Sequence, residues 1–249
     1  MNVTTVDDLL TRDRRDDRTA LVDATGREYD RHWLCTTAWK SGNFLRHAGV
    51  RKDVTVGVVG ENPLAVLAFF GTTLLEGTTR FDPPTDLTAQ EDFRALVAPV
   101  ETLENGPYEL PRGSQRVGYG AKPNEPDIHH FDAGVWSENP AFPPLDIDPG
   151  TAILTDGDRT VTHEAVLEAA AAVVEEYGLE TDDRVVVRAP LSDIRAVVAG
   201  VIAPMLADGV VVLSGDNEGE SADERGAYAV SSESVPEPRR IDLEDVELP

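Results

Sequence analysis

Apolar positions along the chain fall into two kinds of run. Short unbroken runs at 54–59, Arg184–Val187 and Val210–Leu213 have the length and Val-rich content of strands buried on both faces of a parallel sheet. Elsewhere apolar residues recur every three or four positions. Over 31–48, Leu34, Ala38, Leu45 and Ala48 share one side, and Gly49 ends the pattern. Over 164–177, Val166, Ala170, Val173 and Tyr177 share a face, with Glu164 in the first turn and Gly178 after the last. Two more helices follow strands. Asn62 is a good N-cap with Pro63 at the first helical position, leading into Leu64, Leu67, Ala68 and Leu75. Ser192 reads as the cap of 194–207, where Val197, Val201 and Met205 align. Strands alternating with helices predict βαβ units, hence an α/β fold of mostly parallel sheet flanked by helices.

The same order of elements occurs twice. Residues 19–32 read against 151–163, each a short apolar strand, a turn at Gly26 or Gly157, a second short strand and the start of a helix. The chain is therefore expected to hold a first α/β subdomain at 1–100 and a related second one at 150–214. Between them, 101–149 is rich in Pro and Gly and reads as an irregular linker with one short strand near 115–119. Residues 215–249 read as an acidic tail, mobile up to 225, with candidate edge strands at 227–232 and 241–248.

Charge narrows the functional classes. In 249 residues, 46 acidic stand against 22 basic, a net charge of -24 with a pI near 4.4, and only Lys40, Lys52 and Lys122 are lysines. Such a surface repels phosphate backbones and anionic lipid, and no basic patch is read along the sequence to offset it, so neither nucleic acid nor membrane is expected as a partner. Adaptation to high salt accounts for the carboxylates better than a surface made for one basic partner. The N-terminus lacks the apolar core of a signal peptide, and the longest apolar run, 196–207, contains Pro204 and falls short of the ~20 residues of a membrane span. A cytoplasmic protein is expected. Cys35 stands alone, which rules out an intramolecular disulfide or a Cys-rich metal cluster.

Several passages, in order, carry a family resemblance. They are Gly26-Arg-Glu-Tyr29 before a helix, Gly49-Val-Arg-Lys-Asp-Val-Thr-Val-Gly-Val-Val-Gly-Glu-Asn-Pro63, Phe69-Phe70-Gly71 leading to Gly77, Pro190-Leu191-Ser192, and 206–213. Over 19–84 and 148–213 the chain resembles the adenylate-forming, AMP-binding superfamily of acyl-CoA synthetases, luciferases and peptide-synthetase adenylation domains. The resemblance implies two similar subdomains and a truncated large N-terminal domain. It also implies a Ser/Thr/Gly-rich loop with a Lys, which holds ATP phosphates just before the helix where His163 falls. This sequence has only Thr155, Asp156, Gly157, Asp158, Arg159 and Thr160 there. One Gly, no Lys and two carboxylates make a poor cradle for a polyanion. Nothing after Leu213 matches the family's adenosine and magnesium residues or its small domain with a catalytic Lys. The expectation is a catalytically inactive acyl-CoA synthetase-like protein, a binding or regulatory module for a partner protein or a small acyl or adenylate ligand. No catalytic residue and no cofactor is assigned, and ATP, AMP or CoA would bind weakly, at the remnant 155–160 with His163. The alternative is an acyl-CoA ligase, or one chain of a split ligase, forming an acyl-adenylate from ATP and a carboxylic acid.

Other candidates reduce to structural roles. Asp156 and Asp158 lack the ligand number of a calcium loop, and His129 and His130, with Asp127 and Asp132 nearby, lack a third strong ligand, so no metal is assigned. His163 reads as a helix-start residue, and Cys35, with His32 and His47, as a half-buried cysteine rather than a nucleophile. Ser192 has no Gly-x-Ser-x-Gly elbow, and Gly57, Gly60 and Gly71 form no dinucleotide fingerprint.

Overall fold

The repeat read from the sequence is present, and each copy lends its hairpin to the sheet of the other. A computed structural model describes residues 3–140, 143, 145–214 and 226–249. The first copy runs β1 (Thr19–Val22), β2 (Glu28–Asp30), α1 (Arg31–His47), β3 (Thr55–Val58), α2 (Pro63–Thr73) and β4 (Thr78–Phe81). Next come β5 (Phe93–Pro99), α3 (Val100–Asn105), β6 (Gln115–Tyr119), β7 (Ile128–His130) and α4 (Phe131–Ser137). The second copy runs β8 (Ala152–Thr155), β9 (Thr160–Thr162), α5 (His163–Tyr177), β10 (Arg184–Val187), a helical stretch of α6 (Ile194–Val197), a π turn (Val198–Ile202) and α7 (Ala203–Leu206), then β11 (Val210–Leu213). Strands β12 (Tyr228–Ser231) and β13 (Arg239–Asp242) follow.

Two sheets result, ordered β7-β6-β5-β3-β4-β8-β9 and β13-β12-β10-β11-β1-β2. Strands β3 to β8 pair in parallel, as do β1, β10, β11, β12 and β13, whereas β1 and β2 are antiparallel. The hairpin of each copy is built onto the last strand of the other, β1 on β11 and β8 on β4. The compact units are accordingly 36–160 and, together, 1–35 with 161–249. They divide the chain differently from the contiguous halves 1–100 and 150–214. Periodicity identifies a strand but not its neighbour, and here the neighbours lie across the repeat.

Residues 101–149, expected as a linker, carry α3, β6, β7 and α4, and β6 pairs with β5 from Ala95↔Gln115 to Pro99↔Tyr119. Those strands are short and flanked by Pro and Gly, so no period accumulates. They complete the core of their unit, where Leu87, Phe93, Leu96, Ala98, Leu103 and Ile128 cluster. In the other unit Val22, Val186, Val210, Val212 and Ala229 form a corresponding layer.

The helix ends follow side-chain chemistry. Asn62 accepts from the N–H groups of Leu64 (2.9 Å) and Ala65 (3.1 Å), and Gly178 closes α5 at φ +63°. Asp193, not Ser192, caps α6, because its carboxylate accepts from the Arg195 N–H (2.9 Å) and also grips the Arg195 guanidinium. Two readings near the C-terminus change. Strand β12 lies between β10 and β13 rather than at an edge, and β13 ends at Asp242, whose side chain caps a 3-10 turn at Leu243–Asp245. The segment 215–225, read as mobile, lies outside the described residues. Among the described residues, no helix is long and apolar enough to cross a membrane.

Candidate functional site

The β8–β9 connection is where the resemblance places a phosphate loop, and its backbone donors are already used. The Asp156 N–H donates to the Arg159 carbonyl (3.2 Å), and the Gly157 N–H to Thr155 Oγ1 (3.1 Å). The N–H groups of Asp158 (2.9 Å) and Arg159 (2.7 Å) both donate to Asp156 Oδ1. Thr155 Oγ1 donates in turn to the Arg159 carbonyl (2.7 Å) and accepts from Thr160 Oγ1 (3.2 Å). A curl of N–H groups is the element that binds anions. Here the anion is the chain's own Asp156 carboxylate. The Arg159 N–H above all, opposed by slight burial and aided by the Asp158 N–H, holds that carboxyl below the usual range.

The first-copy hairpin is built alike. Asp23 Oδ1 accepts from the Thr25 N–H (2.8 Å), Thr25 Oγ1 (2.6 Å) and the Arg27 N–H (3.1 Å), and Tyr29 Oη donates to Asp23 Oδ2 (2.9 Å). Burial pushes the Asp23 carboxyl up, and these hydrogen bonds outweigh it and leave it lowered. The pairing of Gly26 with Gly157 holds, at φ +81° and +104°.

A cation that sequence reasoning missed lies against the second turn. Arg80, half-buried on β4, packs its guanidinium flat on Gly157, so that a Cβ there would meet Nη2 at 2.4 Å and Cζ at 2.7 Å. Only the pairing of β4 with β8 brings these residues together, and no local pattern announces it.

His163 is the first residue of α5, fully buried, and its Nδ1 accepts from the Val6 N–H at 2.9 Å. The ring proton therefore resides on Nε2, which has no hydrogen-bond partner. Burial pushes its pKa down to about 4, slightly opposed by Asp8. A neutral imidazole latched to the N-terminal turn serves structure. The remaining candidates are placed as follows. His129 Nε2 lies 2.9 Å from Gln115 Oε1, and His130 Nε2 lies 3.8 Å from Asp132. Cys35 is fully buried rather than half-buried, its thiol pushed up to about 11 by burial.

Open parallel sheets bind ligands at the carboxyl ends of strands, where the winding direction reverses. In unit 36–160 that point lies between β3 and β5. Tyr119 Oη fills it, donating to the Val59 carbonyl (2.5 Å) and accepting from Asn62 Nδ2 (2.9 Å). A Cβ at Gly60 would sit 2.3 Å from that oxygen. In the other unit the reversal lies between β10 and β12, beside the Arg188–Glu237 pair. Arg188 Nε meets Glu237 Oε2 at 2.8 Å, Nη2 reaches Oε1, and the glutamate side chain is wholly buried.

No protein-family model matches the sequence, and no curated relative does. Solved structures do. An anthranilate CoA ligase in complex with anthranoyl-AMP superposes with a TM-score of 0.73 at 20% identity, over 91% of this chain and 49% of that one. The N-terminal domain of FACL13 from Mycobacterium tuberculosis gives 0.73 at 14% identity, over 93% and 63%. A benzoate CoA ligase from Burkholderia xenovorans gives 0.71 at 16%, over 91% and 50%. The fold is that of the adenylate-forming ligases. This chain spans 49–63% of the length of these three neighbours. The acyl-CoA synthetase-like arrangement read from the sequence is thus present.

Proposed function

We propose that this acyl-CoA synthetase-like protein is catalytically inactive and works by binding, as a regulatory or partner-binding module. The observation that carries the reading is Asp156. To cradle a triphosphate, the turn would have to release its own carboxylate and then hold a polyanion beside Asp156 and Asp158. Both carboxylates are exposed, and at about 4 Å each would oppose a phosphate charge by about 1 kcal/mol in water. Tyr119 and the Arg188–Glu237 pair, seated at the two reversal points, support the same reading.

The test is pyrophosphate release in molar salt from ATP with a panel of short, aromatic and long-chain carboxylic acids. No release above the rate without acid is expected. Turnover with any one of them would overturn the reading in favour of a ligase. A parallel melting series should leave Tm unmoved by ATP, because a ligand that prefers the folded state must raise it.

A further inference from the structure

We draw no further inference here: the strongest candidate, the groove between α5 and the chain after β13, walled by Ala169, Val173 and Val246 and rimmed by the carboxylates of Glu176, Glu244 and Glu247, is an acidic cluster on a chain of net charge -24, and nothing in the structure shows what covers it.

Discussion

At the scale of single residues, His163 makes a pH-dependent demand. Unfolded, it takes a proton near pH 6.5; folded, burial delays that to about 4. Its contribution to stability is therefore complete above pH 6.5, falls as pH drops between these values, and levels off below about 4. At about 1.4 kcal/mol per unit the loss totals about 3 kcal/mol. Urea unfolding of the wild type between pH 7 and 5 should show this slope, and His163→Gln should remove most of it. An unchanged slope would mean that the Val6 latch does not hold the ring neutral. Asp156 acts through its acceptor oxygens, so Asp156→Ala should cost about 0.5–1.5 kcal/mol by handing two exposed N–H groups to water, read as a lower urea midpoint. The turn itself was legible, since Asp156-Gly157 is a standard turn pair. Arg80 was not, because its place against Gly157 depends on the pairing of β4 with β8, and a guanidinium in a polar strand gives no local sign of its neighbour.

At the scale of elements, α2 ties its cap to the filled crevice. Asn62 uses its oxygen for the helix N–H groups and its nitrogen for Tyr119. Asn62→Ala should cost about 1–2 kcal/mol and Tyr119→Phe about 1 kcal/mol. Because they share a hydrogen bond, the double variant should lose less than the sum, by about 0.5 kcal/mol or more in denaturation midpoints. Strict additivity would show that Tyr119 is held by Val59 alone. The cap was readable from Asn62-Pro63 because capping is local chemistry. Asp193 displaced Ser192 for an equally local reason, namely that a carboxylate can serve the Arg195 N–H and its guanidinium together. The elements at 101–149 escaped notice because three-residue and five-residue strands between Pro and Gly never repeat a pattern long enough to count.

At the scale of the whole molecule, averages misled in two ways. A net charge of -24 hid an acid-free stretch around α1, since a sum over 249 residues carries no position. The repeat, correctly found, suggested contiguous halves, whereas each sheet takes its outer hairpin from the other copy. That topology has a consequence for folding. A fragment of residues 1–100 contains β1 and β2 without β11, and β4 and β5 without β8 and β6, leaving unpaired N–H and C=O groups and an incomplete Leu87–Phe93–Leu96 core that lacks Leu103 and Ile128. A fragment of residues 36–160 keeps β3 to β8, α2 to α4 and that core entire. In molar salt, 36–160 should unfold in one cooperative urea transition, and 1–100 should show neither a transition nor near-ultraviolet dichroism. Should 1–100 unfold as sharply as 36–160, the reciprocal hairpins would be ornaments on two self-sufficient halves rather than the joints that make each sheet complete.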